Sequence, residues 1–334
     1  MSTKDRIASI LEQDPGKVIS GAALARELKI SRTAVWKHMQ VLMEEGYPVK
    51  AVPNKGYVLE ETTDRLSEAL IRNRLKCPSF SRIVHVHKSL DSTNETGKML
   101  ARDGEAHGTL VVADEQVQGK GRRGKTFFSP SGKGIYMSIL LRPDIVPEEA
   151  LHLTIQAAVA VTDVLEELFP ADERSAIQIK WVNDVYIHER KVAGILTEAA
   201  MEMESGKMDY VVVGIGVNVV GEISDLPESI RSTAGFLSEH LRKVPSRNEL
   251  IAAIANRLEE LITNEEFTRT IQRYAAKSYL TGKTVQLMQN GGIRRGIVAG
   301  IDEKGRLVMN YEDGSRGVVH SGEVELLKDG KVNK

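Results

Sequence analysis

The stretch GKGRRGKTFFSPSGKGIYMSILL, residues 119–141, decides between two architectures. Its first eight residues, Gly119 to Thr126, satisfy the phosphate-loop pattern G-x-x-x-x-G-K-[ST] letter for letter. A true phosphate loop follows a strand and runs straight into a helix whose N-terminus meets the phosphate. TLVVADEQV upstream suits a strand. The residues after Thr126 do not suit a helix, because Pro130, Gly132 and Gly134 oppose it and the apolar pattern resumes as a β-run. The match also crowds Lys120, Arg122, Arg123 and Lys125 into six residues, whereas a phosphate loop works chiefly through backbone N–H groups and one lysine. Two readings remain. One is a solvated basic turn. The other is a flap, made flexible by Gly119, Gly121 and Gly124 and backed by Phe127-Phe128, that orders on an anionic ligand.

Outward from this loop the chain divides into parts. Its 334 residues suit two or three domains. Apolar residues make up 41% and charged residues 27%, the composition of a soluble globular protein. Lys and Arg (45) balance Asp and Glu (46), so a basic surface must be local. Cys77 is the single cysteine, which excludes an internal disulfide framework. Without a signal-peptide pattern or a membrane-length apolar run, a cytoplasmic protein with no membrane partner is expected.

Residues 1–62 read as a winged helix-turn-helix. Ile7, Ile10 and Leu11 make one helical stripe that ends at Asp14-Pro15-Gly16, and Ala22 to Leu28 form a second helix after Ser20. Ser31 caps a third helix with Val35, Met39 and Leu42 inward and Gly46 as its stop. Pro48–Val52 and Tyr57–Glu60 then form a hairpin about the turn Pro53-Asn54-Lys55-Gly56. Within 63–79 Asp64 is expected to cap a connecting helix with Leu66, Leu70 and Ile71 inward. Residues 80–275 mix strands (Ile83–His87, Thr109–Ala113, Ile135–Leu141, Ile177–Trp181, Lys191–Glu198, Tyr210–Asn218) with helices such as Glu148–Leu168, favouring an α+β mixed sheet. In 276–334 the short strands TVQLMQ, IVAGI, RLVMNY and GVVHS, with turns NGG, DEKG and EDGS, suggest a small SH3-like β-barrel.

Several separated segments, in order, resemble the signatures of biotin protein ligases. Gly119-Lys120-Gly121-Arg122-Arg123-Gly124 resembles GRGRRG, and Asp91-Ser92-Thr93-Asn94 the STN stretch. Lys180-Trp181-Val182-Asn183-Asp184 resembles (K/R)WPND, Lys191 to Leu196 KLAGIL, and Gly214-Ile215-Gly216-Val217-Asn218 GxGxN. With the winged helix in front and small strands behind, the chain resembles the bifunctional class that joins ligase and biotin operon repressor. Lys120 stands where the family usually has Arg, and Val182 where it has Pro.

The resemblance implies a central ligase domain of the class II synthetase type and a two-step reaction. Biotin carboxylate attacks the α-phosphorus of ATP, giving biotinyl-5′-AMP and pyrophosphate; a lysine of biotin carboxyl carrier protein, in acetyl-CoA carboxylase and other biotin carboxylases, then attacks the mixed anhydride. No enzyme nucleophile is needed. Positive charge and alignment of two anions are. By resemblance Lys191, Arg122 and Arg123 are catalytic. Ser92, Thr93, Gln116, Lys120, Arg122, Lys191 and Gly194 bind biotin. Lys120, Arg122, Arg123, Asn183, Lys191, Gly214, Gly216 and Asn218 hold the adenylate, and Asp184 is the candidate for Mg2+. Ser92-Thr93-Asn94 also reads as a plain helix N-cap, and Lys191 alone as a hairpin lysine.

For operator DNA, Ser31, Arg32, Thr33, Trp36 and Lys37 lie near the start of the third helix, off its apolar face, and Lys50 and Lys55 lie on the wing. One recognition helix per chain calls for a homodimer on a two-fold operator, assembled when biotinyl-5′-AMP acts as corepressor. Two other readings stay open: a ligand-sensing regulator without turnover, and a related lipoate ligase.

Overall fold

The computed structural model describes residues 3–44, 47, 49–59, 64–202, 204, 206–289, 292–328 and 331–332. The expected helix stop Gly46, the hairpin residues Pro48 and Glu60, and Asn290 and Gly291 of the NGG turn lie outside these.

Three helices open the chain: α1 (Thr3–Gln13), α2 (Gly21–Leu28) and α3 (Arg32–Glu44). Ser20 Oγ accepts from Ala23 N and Ser31 Oγ from Ala34 N, both at 3.1 Å, so the two expected caps form. Lys29, between α2 and α3, takes the left-handed conformation (φ 55°) that such turns often give to glycine. β1 (Val49–Val52) and β2 (Gly56–Leu59) pair antiparallel as the wing. Ile7, Leu11, Leu24, Val35, Met39 and Leu42 close a core of this unit's own.

α4 (Glu68–Arg74) follows. Its cap is Ser67, whose Oγ faces Leu70 N at 3.5 Å, and not Asp64 as expected from sequence; Asp64 is drawn instead to a buried arginine 183 residues away. Against α4 lies Glu12 of α1, with Oε1 buried and without a hydrogen bond. Burial, reinforced by Glu249 and opposed by Arg74, pushes its carboxyl up to about 7. An acid whose folded pKa is raised binds more protons folded than unfolded, so stability falls as pH rises from about 4.5 to about 7. Glu12→Gln should therefore stabilise the protein by about 1–2 kcal/mol at pH 8, and by nothing near pH 4. Thermal unfolding of both proteins at the two pH values checks this; equal gains at both would contradict it.

The central unit contains β3 (Val84–His87), α5 (Thr93–Arg102), β4 (Thr109–Ala113), β5 (Gly134–Leu141), α6 (Ala150–Leu168), β6 (Ile177–Lys180), β7 (Asp184–Ile187), β8 (Arg190–Met201), β9 (Met208–Asn218), α7 (Arg247–Thr263) and α8 (Phe267–Ala276). Its seven strands run β3-β4-β5-β9-β8-β7-β6, parallel only between β3 and β4. This is the expected mixed α+β sheet. β7 was not expected: it turns into β8 within His188-Glu189, both at positive φ, as tight hairpins require. α6 is apolar on nearly all sides and buried to match.

The tail forms β10 (Thr284–Gln289), β11 (Gly292–Ile301), β12 (Leu307–Tyr311), β13 (Arg316–Val319), β14 (Glu323–Lys328) and β15 (Lys331–Val332). They pair antiparallel in the order β13-β12-β11-β10-β14-β15. Among the described residues no ladder joins the two ends, so the pairing is that of an open sheet rather than a closed barrel. Val285, Leu287, Leu307 and Met309 belong to the same core as the central sheet, and the buried Trp181 indole donates to Gly305 O at 2.9 Å. Among the described residues no helix is long and apolar enough to cross a membrane.

Candidate active site and DNA-reading face

The site grows from a bare strip of sheet. Gly194 of β8 pairs in register with Gly216 of β9, and Leu196 with Gly214, so three glycines share one face with Leu196 and leave neighbouring side chains room to approach the backbone. A Cβ at Gly214 would stand 2.2 Å from Asn94 Oδ1, and one at Gly216 2.5 Å from the Phe127 ring. Glycine is therefore required for packing here, not for backbone freedom. The strip is the floor of a cavity lined also by Ser92, Thr93, Gln116, Lys120, Arg122, Asn183 and Lys191.

One end of the cavity is neutral and hydrogen-bonded. Ser92 occupies the N-cap position of α5, as the cap reading has it, but makes no capping bond, and it lies at the cavity wall. Thr93 N and Oγ1 both donate to Gln116 Oε1 (2.8 and 3.1 Å), while Gln116 Nε2 donates to Ser129 Oγ at 3.0 Å. Gln116 thereby ties the Ser-Thr-Asn turn to the far stem of the basic loop. Asn94, buried, donates to Leu196 O (3.1 Å) and Glu198 Oε2 (2.8 Å) and accepts from Ser138 Oγ (2.7 Å). Sequence reasoning assigned no role to Asn94, Ser138 or Glu198; the Asn of the Ser-Thr-Asn stretch was the available signal.

The other end is cationic. Lys191 Nζ stands 2.7 Å from Asp184 Oδ1, an ion pair outside hydrogen-bond angles. Its backbone is pinned by Lys191 N to Thr233 O (2.7 Å) and Gly235 N to Lys191 O (3.0 Å), which gives the point charge a rigid base. Arg122 Nη1 donates to Asn183 Oδ1 at 3.1 Å, and Asn183 Nδ2 to Ile195 O at 2.8 Å. Burial pulls the Arg122 guanidinium below its ordinary range, against the opposing pull of Asp184. Lys180, not assigned from sequence, is likewise lowered by burial, with Asp184 opposing and Lys191 reinforcing.

The loop itself is a tight hairpin. Phe127 N donates to Gly119 O (2.8 Å) and Gly121 N to Lys125 O (2.7 Å), and Arg123 and Gly124 take positive φ. Lys120 pairs with Glu95, Lys125 with Glu323 of the C-terminal sheet, so two of the four crowded cations have a carboxylate partner already. After Thr126 the chain runs into β5, and no α-helix follows until α6, which disposes of the phosphate-loop reading. Lys120, Arg122, Asn183, Lys191 and the three glycines come together as expected. Arg123 is exposed beside them. Asn218 is not at the cavity wall; its Nδ2 donates to Gly235 O at 3.1 Å, bracing the segment that pins Lys191.

On the winged helix, Ser31, Arg32, Thr33 and Lys37 are exposed along the start of α3, and Trp36 is 52% exposed among them. Lys50 and Lys55 are exposed on the wing.

Comparison with known proteins agrees with this geometry. Residues 86–218 match the biotin/lipoate A/B protein ligase family, 3–58 an HTH domain, and 281–327 the biotin protein ligase C-terminal domain. The bifunctional ligase/repressor BirA of Bacillus subtilis is 35% identical over 97% of this chain and 98% of its own length; that of Escherichia coli is 32% identical, over 93% and 94%. A structure of the Aquifex aeolicus biotin protein ligase in complex with biotin and ATP superposes with a TM-score of 0.61 at 30% identity, covering 75% of this chain and all of that one. With its winged helix, ligase sheet and C-terminal unit matched end to end, the chain belongs to the bifunctional ligase/repressor branch of the biotin protein ligase family.

Proposed function

We infer that the chain attaches biotin to a lysine of an acceptor protein using ATP, and that it represses transcription through its winged helix. The observation that carries the ligase reading is the two-ended cavity. Its glycine floor lets Phe127 and Asn94 pack directly on the sheet, its neutral end offers the donors and acceptors a ureido group needs, and its cationic end suits two anions that must meet.

Ser92, Thr93 and Gln116 then hold the ureido ring, and the strip of Gly194, Gly214 and Gly216 lies beneath biotin and the adenylate. Lys191 draws the biotin carboxylate and the α-phosphate into line. Attack forms a C–O–P bond, breaks the bond to the β-phosphate, and releases pyrophosphate. Arg122, with Lys120 and the exposed Arg123, retains biotinyl-5′-AMP until an acceptor amine displaces AMP. Asn183 orients Arg122. Among the described residues no three His, Cys, Asp or Glu side chains cluster to hold a metal, which fits Mg2+ carried mainly by nucleotide phosphates with a single carboxylate. Asp184, whose Oδ1 meets the Lys191 ammonium at 2.7 Å, would be that carboxylate; when bound, the ion would neutralise phosphate charge.

Incubation with ATP, Mg2+, biotin and a biotin carboxyl carrier domain, followed by weighing the acceptor, tests this. A gain of one biotin is expected. An unmodified acceptor with DNA binding intact would leave a sensor without turnover, and modification by lipoate instead would mark a lipoate ligase.

For DNA, α3 enters the major groove with Arg32, Thr33, Trp36 and Lys37, and Lys55 meets phosphate. Two copies, joined when biotinyl-5′-AMP orders the loops, read a two-fold operator. Arg32→Ala should cost about 1–3 kcal/mol in operator binding and relax base preference, whereas Lys55→Ala should lower the salt slope by about one without changing preference. Titrations at several salt concentrations separate the two; identical behaviour of both variants would contradict α3 as the reading element.

A further inference from the structure

Arg247, the first residue of α7, is a guanidinium only 4% exposed and used on every edge. Nη1 donates to Asp114 Oδ1 (2.7 Å) and to Gly134 O (3.2 Å). Asp114 directly follows β4 and Gly134 begins β5, so these two acceptors are the stems of the segment that contains the basic loop. Asp114 also accepts from Ser131 Oγ and from Gly132 N (3.3 Å), both within that segment. The opposite edge of Arg247 faces the connection to the winged helix: Nε donates to Asp64 Oδ2 (2.6 Å), Nη2 to Asp64 O (3.0 Å), and the backbone N to Asp64 Oδ1 (2.7 Å). Asn248 continues the grip, donating to Arg65 O (2.8 Å) and accepting from Ser67 N (2.9 Å). Beside this contact a cleft of about 770 Å3, bordered by Lys4 and Ala8 of α1 and by Arg247, leaves room between the winged helix and the ligase sheet.

We propose that Arg247 is a positioning residue that transmits ordering of the 114–134 segment to the Asp64–Ser67 connection, and so to the DNA-reading unit. The guanidinium is a rigid planar fork. A shift of the Asp114 and Gly134 stems turns the whole plane, and with it the edge that holds Asp64. Because the charge is buried, slippage on one side alone would leave it short of partners, which is costly. The two sides therefore move together. Asp64 is the switchable half of the arrangement, since its side chain is 44% exposed while that of Asp114 is 24%. The inference rests on the ligase reading of the loop, and its test separates the two.

The test is hydrogen exchange of the full chain with and without biotin plus ATP and Mg2+, in wild type, Asp64→Ala and Arg247→Lys. In wild type, ligand should slow exchange across 114–134 and also at the Arg65–Glu68 amides, by about fivefold or more, the low end of coupling between sites. In Asp64→Ala and Arg247→Lys the loop should still respond, while Arg65–Glu68 changes by less than about twofold. Asp64→Glu should restore the response, and Asp64→Asn replaces Asp64→Ala if that variant does not fold. A linker that responds in the variants as in wild type overturns the proposal, as does a wild-type linker that ignores a responding loop. A wild-type loop that ignores ligand would instead overturn the ligase reading on which the proposal stands.

Discussion

Lys191→Gln should lower biotin-dependent pyrophosphate release by about 10²–10³-fold, the usual loss when one preorganised charge is removed from a developing transition state. The expectation follows from placement. Lys191 lines the cavity, its backbone is held on both sides by residues 233 and 235, and its ammonium meets one carboxylate, Asp184. Glutamine is one atom shorter but still polar and flexible, and it removes the charge that stands over Gly194. Because the group acts where carboxylate meets phosphate, the loss should appear in kcat far more than in the KM for biotin. A pyrophosphate assay across biotin concentrations measures both. A kcat within tenfold of wild type would remove Lys191 from the chemistry and leave it the ordinary hairpin lysine that its local sequence also allows.

How much of this was legible in the sequence depends on the range over which each signal acts. Periodicity found the three N-terminal helices, and side-chain caps at Ser20 and Ser31 found their starts, because both are local. β7 escaped because four residues between Asn183 and a two-residue turn carry too short a pattern to distinguish from the turn itself. The separate motifs singled out Gly194, Gly214 and Gly216, but only the register of β8 against β9 shows that they share one face. Sequence showed four cations crowded into six residues of the loop. The fold supplies Glu95 and Glu323, one from α5 and one from the C-terminal sheet, as partners for two of them. Asp64 read as a helix cap on its local spelling. A buried guanidinium 183 residues away outcompetes a capping bond for that carboxylate. Pairings at such separations leave no periodic trace.

The same division of labour governs Arg122→Gly. Arg122 is half-buried, its guanidinium rests on Asn183 Oδ1 at 3.1 Å, and Asn183 is in turn fixed by Ile195 O. It thus presents a donor fork toward the cavity from a supported position, while Lys191 reaches the same space from β8. Removing Lys191 strikes bond formation; removing Arg122 strikes retention of what has formed. Glycine also frees a hairpin already carrying Gly121 and Gly124 on either side. Loss of two charge-assisted hydrogen bonds, at about 1.5–3 kcal/mol each, should shorten the residence of biotinyl-5′-AMP by about 10²-fold or more. Pyrophosphate release should persist within about tenfold, since the cation that aligns the reactants is untouched. An activated acyl phosphate released into solution meets any amine, so bystander proteins should gain biotin on surface lysines while the carrier domain loses its privilege. Chase of labelled biotinyl-5′-AMP from the protein, with mass analysis of an added inert protein, reads both effects. Residence equal to wild type, with the bystander unlabelled, would mean that the loop does not hold the intermediate, and that Lys120, paired with Glu95, and Lys125, paired with Glu323, merely keep a surface hairpin closed.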